Sequence, residues 1–153
     1  MKNVGLFFMA LVCTSMAFSQ NKTDNSLTYK TGVGVKIFNG VGANVKTFIS
    51  EKAAIDIVAF FSGEGTRFTA HYEFHGDLST EGNLKWYLGP GVNLRLQDKN
   101  TIIGPGFIIG ADYKFKELPF NIAIDWQPAI EIGGGYGTRF RSSWAGVALR
   151  YTL

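Results

Sequence analysis

The segment from Arg141 to Leu153 alternates with a period of two. Ser143, Ala145, Val147, Leu149, Tyr151 and Leu153 fall on one face. Ser142, Trp144, Gly146, Ala148, Arg150 and Thr152 fall on the other. Successive side chains of a β-strand point to opposite sides, so this pattern describes a strand between two unlike environments. The sequence stops on that strand without a polar tail, as the closing strand of an exported barrel would.

The N-terminus suggests how such a chain would be exported. Met1-Lys2-Asn3 is a short basic start, Val4 to Val12 an apolar run, and Ala17-Phe18-Ser19 a small-residue zone. That is the three-part layout of a secretory signal peptide over residues 1–19, with cleavage before Gln20. The apolar run is too short to cross ~30 Å of hydrocarbon as a helix. Cys13, the only cysteine, lies inside this segment, and Leu11-Val12 before it do not suit a lipoprotein. The mature chain is therefore expected to lack thiols, disulfides and cysteine-based metal sites. The formal net charge is +3 with no basic run, so nucleic acid is not an expected partner.

Residues 20–28 read as a short polar lead and residues 29–153 as one barrel domain. Eight alternating segments follow one another: Tyr29–Phe38, Gly40–Ile49, Ala53–Ser62, Arg67–Asp77, Leu84–Leu96, Thr101–Phe115, Phe120–Ile132 and Arg141–Leu153. Asn39-Gly40 between the first two is a strong hairpin signal, because both residues tolerate positive φ. Most segments reach the ~9–11 residues of a tilted transmembrane strand. None sustains a helical period.

The two faces sort by chemistry. One carries Val33, Val35, Ile37, Ile55, Ile57, Phe61, Trp86, Phe107, Ile122, Ile124, Trp126 and Ile130. The other carries the charges, Lys36 among them, together with most strand glycines, such as Gly34, Gly42, Gly89, Gly104, Gly110 and Gly146. Glycine suits a narrow, crowded lumen, so the charged face is placed inside and the apolar face toward lipid. A sheet that spans hydrocarbon must close on itself to pair every backbone group. The expected fold is thus all-β: a closed antiparallel up-and-down transmembrane barrel of eight strands behind a signal peptide. Aromatic girdles are expected at both rims. Tyr29, Phe48, Phe74, Trp86, Tyr113, Phe115, Phe120 and Tyr151 form one, and Phe38, Phe61, Phe68, Tyr136, Phe140 and Trp144 the other. Pro90, Pro105 and Pro128 fall inside strand segments, where proline cannot donate to a ladder; bulges or strands rising above the bilayer are expected there.

Signal peptide, eight strands, Asn-Gly hairpin and terminal strand together resemble the small OmpA/OmpX-like outer-membrane β-barrels of Gram-negative bacteria, over the whole mature chain. Gly146-Val147-Ala148-Leu149-Arg150-Tyr151 is similar to the glycine–x–x–hydrophobic–x–aromatic signal read by the barrel-assembly machinery. Gly146, Leu149, Tyr151 and Leu153 would carry it, although such proteins commonly end in phenylalanine and this one ends in Leu153. The resemblance implies an outer-membrane monomer in contact with lipids and lipopolysaccharide, and with the barrel-assembly machinery during insertion.

An eight-stranded interior is just wide enough for side chains to fill it. Lys30, Lys46, Asp56, Arg67, His71, Glu73, Lys85, Arg95, Asp112, Asp125, Glu131 and Arg150 are expected to fill this one as a polar network. Bases outnumber acids in that set, so any leak through a narrow channel should favour small anions. His71 and Glu73, with Arg67 nearby, could orient a general base. The network reading is preferred, because buried charges must be paired. The lipid A palmitoyltransferases and deacylases are barrels of this size, and deacylases place a His two residues before a Ser. Here His71 is followed by Glu73, and His75 by Asp77, without a serine nucleophile. Gly133 to Gly137 lacks the following helix that a phosphate-cradling loop requires. No catalytic, cofactor or metal site is expected. Of the loops, only Gly133–Phe140, with Tyr136 and Arg139 next to Arg141, offers a surface for recognition, and its arginines suit lipopolysaccharide phosphates.

Overall fold

A computed structural model describes residues 29–38, 40–63, 65–97, 100–135 and 137–153. The expected signal peptide and lead, and Asn39 and Tyr136, lie outside the described residues. Alternating segments joined by tight turns leave each strand next to its successor, and the described residues form ten strands and no helix. They are β1 (Thr31–Ile37), β2 (Val41–Ser50), β3 (Ala53–Ser62), β4 (Gly65–Asp77) and β5 (Leu84–Gln97). There follow β6 (Asn100–Lys114), β7 (Phe120–Trp126), β8 (Ala129–Gly133), β9 (Thr138–Arg141) and β10 (Ala145–Thr152).

Pairing is antiparallel throughout. Each strand from β1 to β5 pairs with the next, β6 pairs with both β7 and β8, and β10 returns to β1. Because β10 pairs with β7 and β9 with β8, these four strands are two interrupted staves. The ten strands therefore make the eight staves of a closed up-and-down barrel. The turn after β8 is a run of left-handed residues: Gly133, Gly134, Gly135 and Gly137 have φ between 69° and 112°, which only glycine adopts without strain.

The prolines are accommodated by opened ladders rather than by bulges of their own. Between His71–Gly91 and Phe74–Leu88 the β4–β5 register is unchanged, yet the residues opposite Gly89-Pro90 do not pair. The Tyr72 carbonyl fills the space of the missing side chain, 1.7 Å from where a Cβ on Gly89 would lie. Gly104-Pro105 repeats the device, with the Ile130 carbonyl 1.6 Å from the corresponding point. Pro128 breaks its stave instead. Two residues separate Trp126 from Ala129, whereas three separate their partners Ala145 and Arg141, so the neighbouring stave carries a one-residue bulge at Ser142–Trp144.

That bulge corrects the phase of the last segment. Trp144 is buried and Arg141 half-buried, and Arg141 faces Ala129 across the ladder on the interior side, so both point inward. Trp144 does not join the expected outer girdle. Tyr29 and Phe48 also leave it: they meet edge to face inside the barrel (ring centroids 5.3 Å apart) and pack on Ala54. Phe74, Trp86, Phe120 and Tyr151 at the end bearing Lys30 and Leu153, and Phe61, Phe68 and Phe140 at the other, are exposed on the outer surface.

Candidate functional site

Interior-facing positions bring ten charged side chains into burial. Lys36, Lys46, Arg67, Arg95 and Arg150 stand against Asp56, Glu73, Asp112, Asp125 and Glu131. Among the buried charges bases and acids are equal in number: Lys30 and Lys85 of the expected set sit at the barrel's end, Lys36 joins, and Arg141 points inward only half-buried. Lys30 is exposed and contributes nothing to the interior. Lys85 pairs with exposed Asp77 at 2.8 Å on the rim. Tyr29 occupies the interior next to Lys30, which is why the strand parity misleads there.

At mid-barrel every ion has a partner on another stave. Lys46 Nζ lies 2.8 Å from Glu73 Oε2 and 3.0 Å from Asp112 Oδ2, with the Tyr87 ring centroid 4.0 Å away. Lys36 Nζ bridges Asp125, at 2.5 Å, and Asp56, at 3.8 Å. Arg150 donates through Nε to Asn44 and through Nη1 to Asn121 Oδ1 (2.9 Å), and Nη2 lies 3.6 Å from Asp56. Asn44 Nδ2 donates in turn to Asp56 Oδ1 at 2.6 Å. Asp125 accepts from Tyr87 Oη at 2.7 Å and from Gln127 Nε2 at 2.8 Å. Such pairing is what lets charges stay ionised away from water. Lys36 is central to this network although the sequence reading of filling residues passes over it. Tyr87, Ile108, Ala123 and Ala148 form an apolar cluster among the ions.

The anticipated His71–Glu73–Arg67 grouping does not form. Glu73 is held by Lys46 and by His75 Nε2 at 3.1 Å. His71 is buried without a hydrogen bond among the described residues, its ring filling the space at Gly91. His75 turns to Glu73 rather than Asp77, and stacks on Tyr87. Among the described residues no three His, Cys, Asp or Glu side chains converge as a metal site requires.

Arg67 lies at the opposite end, where the β1–β2, β3–β4, β5–β6 and β8–β9 turns gather. Glu131 is the hub there: Arg95 Nη2 lies 2.9 Å from Oε1, while Arg141 Nε (2.8 Å) and Arg139 Nη2 (3.2 Å) donate to Oε2. The bulge beside Pro128 is what delivers Arg141 to that carboxylate. Arg67 instead stacks on aromatic rings, its guanidinium carbon 3.8 Å from the Trp144 centroid and 4.3 Å from that of Phe60.

Gly146 faces Asp125 on the interior side, and a Cβ there would lie 3.4 Å from Lys36 Cε. It thus clears the path by which Lys36 reaches Asp125. Leu149, Tyr151 and Leu153 are exposed on the outer surface. Fold and site together define an eight-stranded antiparallel barrel with a charged, side-chain-filled interior. No family model, curated protein or solved structure matches the chain.

Proposed function

We propose that the chain is an integral outer-membrane β-barrel, akin to the small OmpA/OmpX-like barrels, with a structural or surface-interaction role in the envelope and no catalysis. One observation carries this reading. Thirty large hydrophobic side chains are 38% to 65% exposed, and among the described residues no outward-facing strand position bears a charge. Soluble monomers rarely expose contiguous apolar patches beyond a few hundred Å². A belt of that kind around a barrel with polar contents suits lipid outside. The closed sheet leaves no unpaired edge, as a hydrocarbon environment requires.

The proposal of a barrel without catalysis follows from how the interior groups are used. His71 makes no hydrogen bond to Glu73, which is held instead by Lys46 and His75. Partners under this reading are lipids, lipopolysaccharide and the barrel-assembly machinery. Membrane fractionation followed by gel electrophoresis with and without boiling tests it. Recovery in the outer-membrane fraction with a heat-dependent mobility is expected. A soluble periplasmic protein whose mobility ignores boiling would overturn the reading.

A further inference from the structure

We propose that Arg67, with Arg95 and Arg141, forms a binding site for a phosphate-type oxyanion at the turn-bearing end of the barrel. The argument begins with Arg67, which is only 6% exposed. Its guanidinium carbon lies 3.8 Å from the Trp144 ring centroid, 4.3 Å from that of Phe60 and 5.5 Å from that of Phe38. Ring contacts offer no oxygen acceptor to the edge of a guanidinium, which carries five N–H donors in a fixed fork. Among the described residues Nη1, which is fully buried, has no hydrogen-bond partner. Among the described residues Glu131 holds both buried Arg95 and half-buried Arg141. The ring contacts and the nearby carboxylates hold the charge, but they leave a buried N–H donor without a hydrogen-bond partner among the described residues, which is unfavourable.

Space lies beside that guanidinium. A cavity of about 60 Å³ is lined by Arg67, Arg95, Arg141, Ser62, Ser143 and Trp144. Given that liquid water takes roughly 30 Å³ per molecule, it holds a group of about two waters' size, such as one carboxylate, sulfate or phosphate. With Arg139 at the rim, three guanidiniums converge on Glu131, and Arg67 stands beside them against Trp144. A fork edge flanked by further guanidiniums is the arrangement that selects planar or tetrahedral oxyanions over halides, because paired N–H···O bonds need two oxygens. Both free inorganic phosphate and the phosphate of a lipid headgroup offer that chemistry.

The test uses the full chain refolded in a sugar-based detergent without phosphate. Inorganic phosphate, and separately a short-chain phosphatidic acid, are titrated while the Trp144 indole and Arg67 Nε resonances are followed by NMR. Saturable shifts of both are expected, with affinity reduced at least tenfold in Arg67→Gln and restored in part by Arg67→Lys. Shifts with either probe support the site, and the probe that acts identifies the source. Three results would overturn it. One is no saturable shift in the unaltered chain with either probe, which needs no variant to fold. Another is an equal shift from chloride at matched ionic strength, which reports an adventitious ion only. The third is unchanged affinity in Arg67→Gln. None of these bears on membrane location, which fractionation decides separately.

Discussion

Lys46→Met is the sharpest perturbation of the interior. Lys46 is fully buried, and its ammonium lies 2.8 Å from Glu73 and 3.0 Å from Asp112. At an effective dielectric near 20, each contact at about 3 Å amounts to roughly 5 kcal/mol of attraction before desolvation. Desolvation of three ions offsets most of this, so the intact cluster adds little net stability. Removal of the cation alone is another matter. Two carboxylates would remain buried without their shared counter-ion, and breaking a buried pair in this way costs about 3–5 kcal/mol. Methionine keeps the length of the stem, so little of the loss comes from a cavity. Adding Glu73→Gln removes one of the stranded charges and leaves an amide for the hydrogen bond with His75. The double variant should therefore recover about 1–3 kcal/mol relative to Lys46→Met. Reversible urea unfolding in lipid vesicles, followed by tryptophan emission and by gel mobility, measures all three proteins. A Lys46→Met midpoint within about 1 kcal/mol of the parent, or a double variant weaker than the single, would refute the network as drawn.

The glycine–proline openings make a second case. Ala at Gly89 or Gly104 would drive its Cβ into a backbone carbonyl at 1.7 or 1.6 Å, and should cost at least the 1–3 kcal/mol or so of an overpacked core, read as lost refolding yield. Gly146→Ala, whose nearest contact is Ile37 O at 3.2 Å, should stay near about 1 kcal/mol in the same assay. Ile57→Arg, at the outward centre of β3 and 51% exposed, should lose about 2–4 kcal/mol in vesicles if lipid covers it. A change within about 0.5 kcal/mol there would indicate water on that face. Planar-bilayer recordings should show no steady conductance, since side chains fill the interior; large, lasting steps would show an open channel.

Period-two alternation made most of the barrel legible before any coordinates. Outward Val33, Ile57, Trp86, Ile124 and Leu149 and inward Lys46, Asp56, Asp112, Asp125 and Arg150 all stand where parity puts them. Parity says nothing of how far along a stave a side chain reaches. Lys30 has the interior parity yet lies beyond the last ring of burial, while Tyr29 folds back over Phe48. Aromatics near strand ends cannot be told apart by type, because an interior lid and an outer girdle both use Phe, Tyr and Trp.

The arginine-rich end was the least legible region, and the reason is local. Pro128 removes one ladder donor, and the facing stave answers with the extra residue at Ser142–Trp144. A pattern read from Arg141 onward places Arg141 and Trp144 on opposite faces. The bulge puts both inside, Arg141 against Glu131 and Trp144 against Arg67. A proline on one strand thus determines what a neighbouring strand presents, and a single-strand period carries no trace of it. The signal that could have found it is compositional: Ser-Ser opposite Pro, followed by an aromatic, where one face demands continuity. The same displacement sets Trp144 against Arg67, while Arg95 and Arg139 reach Glu131 from positions that the bulge does not shift. The irregularity at Pro128 and the aromatic seat of Arg67 therefore have one structural origin.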